Sequence, residues 1–535
     1  MATLLWGVTN TVHLKEKNKQ VSEQKVVNFA EPAELLTLDT TQEEDFTSFN
    51  AQNQVLEGLY QLDKNDEVIP AVASSLPKVS ADKKTYTITL RKDAKWSNGT
   101  NVTASDFLYA WQRAVDPETA PSYASLFVDS IQNAAEINSG KLAAEKLSVE
   151  APDEQTLVIH LIKPIPYFTS LLSFETFYPI NQEFAEKQGE SYGTSSATTL
   201  YNGAFTLTDW EQNSDTWSYT KNEKYWDAEH VKVDQINTSV VKSTGTAFNL
   251  YEAGELDRVV LEGEYAKQAV NRSDFQNQND TKVSYLRFNQ GSDKNLANVN
   301  LRKAISLAID RESFVDSILG DGSLAATGFV PTDFTKNPTT AEDFRKESGT
   351  LQTYDASAAK SALAEAKKET GKSRFTLDYI TTDADNNKTT AESLAGQIEQ
   401  ALPGVTINIQ TLPSNNVQER YFDGDYDIAF GQWMPDFYDP ITYLDMFTSD
   451  SGLNHINYRS AKYDQIIKAA TDRDATNESK RWEDLIQAEK VLLQKDYVIA
   501  PIYQQKTAIL QNEKVSGVVK HAAGSPYNFK YITVN

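Results

Sequence analysis

The sequence predicts an α/β protein built from two or three compact units, and three observations carry that prediction. At 535 residues the chain is too long for one hydrophobic core. Its composition, with 40% hydrophobic residues including 25 Tyr, 23 Phe and 8 Trp, is that of a soluble globular protein. Near the C-terminal third, Phe375–Thr381, Thr390–Leu402 and Val405–Thr411 read strand, helix, strand, an order that implies a partly parallel sheet.

Taken in order, residues 2–8 (A-T-L-L-W-G-V) look like the end of an apolar secretory segment, followed by a polar tether to about residue 25. A disordered, tag-like end reads equally well. Val26–Ala30 opens the folded part as a strand, and Glu34–Asp39 follows. Phe49–Leu62 has the apolar spacing of a helix, and Asp63–Asn65 turns the chain into Val68–Ala73. Thr85–Leu90 alternates as a strand does, Trp96–Gly99 is a turn, and Thr103 caps a helix to Val115. Thr156–Leu161 and Thr206–Trp210 read as strands. Between them, the aromatic run Ile162–Tyr178 reads as surface packed between units. Val231–Val240 and Val283–Asn289 read as strands, Ala247–Ala253 as a helix and Leu301–Leu319 as one long amphipathic helix. Ala461–Asp472 and Glu478–Gln494 are helices, and Ile499–Gln504 is a strand that carries the chain back. The chain is expected to cross between lobes near Asn289–Gly291 and again near Ala500–Ile502.

Several function classes lose support. The net charge of −24 argues against nucleic acid or an anionic membrane surface as the main partner. No cysteine is present, so disulfides, thiolate metal sites and cysteine nucleophiles are excluded. The five histidines are scattered, and neither a metal site nor a His-based catalytic group is expected. Phosphate-binding glycine loops and the hydrolase elbow are also missing. A glycosidase-type pair of carboxylates remains as a minor alternative, because separation in space is unreadable from sequence.

The stretch with the clearest functional reading is Gly431–Pro440, G-Q-W-M-P-D-F-Y-D-P. It follows the strand Tyr426–Phe430 and is held out of helix by Pro435 and Pro440. Gly431, Gln432 and Trp433 offer a strand end for an extended ligand, and Asp436 offers an exposed-looking fixed negative charge. The alternative is a buried Trp under a proline-braced loop.

At Thr85–Arg113 the chain reads T-Y-T-I-T-L-R-K-D-A-K-W-S-N-G-T-N-V-T-A-S-D-F-L-Y-A-W-Q-R. E-G-L-Y at Glu57–Tyr60 precedes it, and N-G-A-F at Asn202–Phe205 and K-N-E-K-Y-W-D-A at Lys221–Ala228 come further on. Y-E-A-G-E-L-D at Tyr251–Asp257 and L-R-K-A-I-S-L-A-I-D-R at Leu301–Arg311 follow. Together these resemble the extracellular peptide-binding proteins of ABC importers, the family-5 solute-binding proteins. The resemblance implies a two-lobed α/β fold of the periplasmic-binding-protein type (cluster C), with an extra subdomain on lobe I. It divides the chain into a leader remnant and tether (1–25), lobe I (26–70, 191–288 and 500–535), the extra subdomain (71–190) and lobe II (289–499).

The same resemblance implies capture of peptides in extended form between closing lobes, without catalysis and without a cofactor, and delivery to membrane permease subunits. A sensor of a peptide pheromone or of haem on the same fold is the alternative. Asp436 is then expected to receive the peptide α-amino group, with backbone pairing at Gly431, Gln432 and Trp433 and around Glu34 and Leu36. Arg420, placed where a strand begins, is the candidate for the peptide carboxylate. A monomer outside the cytoplasm is expected, on the surface of a Gram-positive cell. A lipid anchor is not supported, since Trp6 stands where the family's anchoring cysteine is expected.

Overall fold

The computed structural model describes residues 24–535 except 43, 44, 120, 122 and 384; the segment read as a leader lies almost wholly outside them. Ten strands form the spine of the molecule. In chain order they are β1 (Val26–Glu31), β2 (Phe205–Thr208), β3 (Thr216–Lys221), β4 (Gln235–Val240), β5 (Arg258–Leu261), β6 (Phe275–Phe288), β7 (Phe375–Thr382), β8 (Val405–Leu412), β9 (Ile428–Trp433) and β10 (Ile499–Gln511). Their spatial order is β8-β7-β9-β6-β10-β5-β1-β4-β3-β2, with Leu324–Ala325 added against β10.

Parallel pairs join β7 to β8 and β9, and β1 to β4 and β5; the remaining pairs are antiparallel. The β-α-β unit expected from sequence is present, with a helix over Asp385–Ala401 between β7 and β8. β6 and β10 are longer than any other strand and belong to both halves of the sheet. Their antiparallel register shifts between Asn279 and Val283 and again between Ser284 and Tyr285, and such bulges bend and twist a ladder locally.

Residues 78–160 hold a separate antiparallel sheet of four strands, with Thr85–Thr89 and Thr156–His160 at its centre. It packs on the helix Ala104–Val115, whose start is fixed by a reciprocal capping box between Thr103 and Asp106. The apolar face of that helix, including Phe107 and Trp111, is fully buried.

Three of the family-like motifs meet in one buried knot. Glu57 accepts hydrogen bonds from the Tyr225 hydroxyl and from Trp226 Nε1, and its main chain is bracketed by the Asn202 amide at 2.8 and 3.0 Å. Gly203 passes so near the helix end that a Cβ there would lie 2.6 Å from the carbonyl carbon of Val55. Arg302 and Arg311, from the L-R-K-A-I-S-L-A-I-D-R motif, are buried and donate to main-chain carbonyls, Arg302 to Asp496 and Arg311 to Pro501. These contacts hold the fold.

Four expectations need correction. The helix read over Phe49–Leu62 spans Phe46–Val55, and Tyr60–Leu62 is a strand paired with Val68–Pro70. The Gly203 N–H takes the Val55 carbonyl at 3.0 Å, so helical bonding cannot continue past it. Leu301–Leu319 is not one helix. It breaks at Ile309, which is extended, and Asp310 caps a short second segment by accepting from Ser313 N. The strand read from Val231 begins at Gln235; Val231 and Val233 are apolar because they are core residues. Arg420 lies near the end of a helix over Ser414–Asp423, not where a strand begins.

Candidate functional site

β9 is an internal strand for only a third of its length. It pairs with β6 throughout, from Ile428↔Phe288 to Trp433↔Val283, but β7 meets it only at Ile428 and Ala429. Phe430–Trp433 therefore keep one edge of backbone N–H and C=O groups out of the ladder. Gly431 lets the Arg287 side chain pack against the strand, since a Cβ would lie 2.4 Å from Arg287 Nε. Gln432 donates to Ser284 Oγ at 3.1 Å, and the Trp433 indole N–H is buried without an acceptor. On the other side of the sheet β1 meets β5 only at Phe29↔Arg258, and Ala30, Glu31 and Pro32 line a cleft together with Met434.

Asp436 follows three residues after Trp433. Contrary to the exposed position read from sequence, it is closed in by protein while still touching the space of the pocket it lines. Its neighbours there include Asn53, Glu175, Tyr178, His521 and Asn528, around a cavity of about 20 Å³, room for about one water-sized group. The C-terminal segment crosses above it, with Gly524 N donating to the Pro435 carbonyl at 3.3 Å. Among the described residues no hydrogen-bond donor or cation pairs with the Asp436 carboxylate, and burial alone pushes it up to about 7. Glu175 on the pocket wall is also buried, raised to about 8, with its Oε2 unpartnered. His521 is held by Asp66 at 3.0 Å. The pocket thus offers carboxylates without bound cations, the arrangement that a cationic ligand group complements.

Beside the pocket, Tyr167 stacks on Phe437 with ring centroids 4.5 Å apart and planes 8° from parallel. The Arg481 guanidinium, paired with Asp439 at 2.7 Å, lies over the same tyrosine. A second wall of contact comes from Lys163, which pairs with Asp472 at 2.9 Å. Tyr167 belongs to the aromatic run that the sequence reads as inter-unit surface.

The structure brings Gly431, Gln432, Trp433 and Asp436 onto one strand end. Glu34 and Leu36 lie after β1 and line neither this pocket nor the larger cleft: Glu34 pairs with Lys242 at 2.5 Å, and Leu36 is largely exposed, its carbonyl accepting from Gln212. Arg420 is engaged by Asp425 at 2.9 Å and by Gln410. Sequence reasoning missed Glu175 and, in the larger cleft, Glu31, Asn50 and Arg258. The available signal was weak: Glu175 is a lone charge in F-E-T-F, and Arg258 follows Asp257 at the head of the apolar run V-V-L.

Residues 67–455 match the family model of bacterial extracellular solute-binding proteins, family 5. The chain belongs to that family. It is 33% identical over 524 residues to the dipeptide-binding protein of Lactococcus lactis, covering 96% of this chain and 94% of the relative. It is 32% identical to the dipeptide-binding protein DppE of Bacillus subtilis, over 89% of this chain and 86% of the relative. Among solved structures, Listeria monocytogenes OppA bound to peptide superposes with a TM-score of 0.81 at 40% identity, over 96% of this chain and 100% of that one. The pheromone receptor PrgZ superposes with a TM-score of 0.82 at 39% identity, with the same coverages. The fold is the two-lobed α/β fold of these binding proteins. Among the described residues no helix is long and apolar enough to cross a membrane.

Proposed function

We propose that the protein captures peptides in extended form outside the cytoplasm and delivers them to the permease of an ABC importer, with no chemistry of its own and no cofactor. The observation that carries this reading is Asp436: an enclosed carboxylate with no partner, placed where a strand with a free backbone edge ends. Backbone pairing at Gly431–Trp433 accepts any side-chain sequence, and the carboxylate receives the α-ammonium, a group that cannot be desolvated without a counter-charge. The relatives named for dipeptide and oligopeptide binding support the substrate class.

In this reading lobe I comprises the N-terminal part, the extra subdomain and the C-terminal strands, and lobe II the middle of the chain. The hinge lies where the chain crosses near Asn289–Gly291 and again near Ala500–Ile502, beside the bulged step of β6 between Ser284 and Tyr285, which face Tyr503 and Pro501 of β10. The protein acts as a monomer at the surface of a Gram-positive cell, with no role for nucleic acid.

Incubation with a mixed peptide library, followed by mass spectrometry of what co-purifies, tests the reading. Intact short peptides of varied sequence are expected. Recovery of cleaved fragments would replace it with an enzyme, and recovery of a single peptide species with a dedicated pheromone sensor of the kind represented by PrgZ.

A further inference from the structure

The larger cleft, lined by β1, β5, β10 and the C-terminal segment, holds a buried cation that forms no ion pair among the described residues. Arg258 sits on β5 opposite Phe29 of β1 and is 7% exposed. Its guanidinium lies over the Tyr527 ring at 4.4 Å. Stacking uses the flat face of the group and leaves its in-plane N–H donors free. Nε and Nη2 are buried with no hydrogen-bond partner, and among the described residues no carboxylate lies within ion-pair distance. Glu31, which acts on Arg258 through space, accepts from Asn50 Nδ2 at 2.9 Å, and burial raises its carboxyl to about 7. The other charges of the cleft are mostly matched: Asp280 pairs with Lys520 at 3.0 Å and Lys242 with Glu34.

A buried guanidinium with open donors is costly in an empty cleft. Its forked geometry matches a carboxylate, which can accept two parallel N–H bonds. We infer that Arg258 is a carboxylate-recognising subsite of the peptide cleft, filled by an acidic side chain of the ligand or by its C-terminal carboxylate. The inference rests on the peptide-capture reading and adds a chemical preference to it. Backbone pairing tolerates every sequence, whereas Arg258 makes one position of the ligand, or its end, favour negative charge.

The test is titration calorimetry with pentaalanine peptides carrying a single Glu or Gln at each position in turn, each with a free or an amidated C-terminus. In the wild type, Glu over Gln at one position, or the free over the amidated end, is expected to strengthen binding by about tenfold or more. The first result assigns the side-chain source and the second the terminus. In Arg258→Gln that gain should fall to within about twofold, with Arg258→Lys between the two. The ligand-side comparison in the wild type needs no variant, so a poorly folding Arg258→Gln leaves the test standing. Equal affinities for Glu, Gln, free and amidated peptides overturn the inference while leaving peptide capture intact. A gain that persists in Arg258→Gln moves the role to another cation, such as Lys282, and overturns it too. If none of the peptides binds, peptide capture itself falls, and the inference with it.

Discussion

Asp436→Asn keeps the shape of the pocket and removes its charge, and its consequences can be worked from the structure. A carboxyl raised from its ordinary value of 3.8 to about 7 costs about 4 kcal/mol to ionise in the empty pocket. Water in the open cleft screens part of this, so about 2–4 kcal/mol is the working range. The sign of the pH dependence follows. In the ligand-free protein the folded state holds a proton that the unfolded chain has lost, so stability falls as pH rises from about 4 to about 7. Asp436→Asn should abolish that contribution and be the more stable protein above pH 7.

An α-ammonium bound beside Asp436 returns it to the ionised form. Binding a peptide with a free N-terminus should therefore release about half a proton at pH 7 and nearly one near pH 5.5. Affinity should rise with pH over that interval. N-acetylating the peptide should weaken wild-type binding by about 2–5 kcal/mol and cost far less in Asp436→Asn. Calorimetry of the four combinations, in buffers of different ionisation enthalpy, reads both the coupling and the proton count. Equal binding of free and acetylated peptides to the wild type, or no proton release near pH 6, would refute the assignment.

Two further outcomes follow from described contacts. Glu489 is fully buried and binds both terminal nitrogens of Arg345, the Ser348 hydroxyl and the N–H groups of Phe329 and Val330; Glu489→Gln should lower stability by about 3–5 kcal/mol in denaturant unfolding, and a change below about 1 kcal/mol would show the network to be dispensable. The Tyr167–Phe437 stack links the aromatic run of residues 162–178 to the Asp436 loop, so Tyr167→Ala should loosen the proposed closed form. Peptide dissociation should speed up by up to about tenfold, and small-angle scattering should show a larger radius of gyration for the variant at saturating peptide; an unchanged radius and rate would place the clasp elsewhere.

Most of the fold was legible because its motifs are structural. Thr103 and Asp106 cap a helix, and Glu57, Asn202 and Tyr225 tie distant segments together, so each must keep its residue type. The site was only half legible. Asp436 is marked by its place after a strand-ending tryptophan, but its enclosure depends on residues 521–528 folding back over it, nearly a hundred positions later. Glu175 and Arg258 gave weak signals, since a charge in or beside an apolar run reads equally well as a surface position on an alternating strand. The break at Ile309 was hidden because the apolar spacing continues across it while the backbone does not. The helix over Phe49–Leu62 was overrun for a similar reason: the bond that stops it comes from Gly203, far along the chain.

The place of β10 has a consequence for how the chain reaches its folded state. It lies between β6 and β5, so until Ile499–Gln511 is available the sheet exists only as two unjoined pieces, one ending in β6 and the other in β5. Those pairings span hundreds of residues and must wait for nearly the whole chain, which makes assembly slow and late. A nascent polypeptide of this design cannot join its two halves until its end emerges. That suits a protein that crosses a membrane as an unfolded chain and folds on the far side, where the last strand to arrive locks both halves at once.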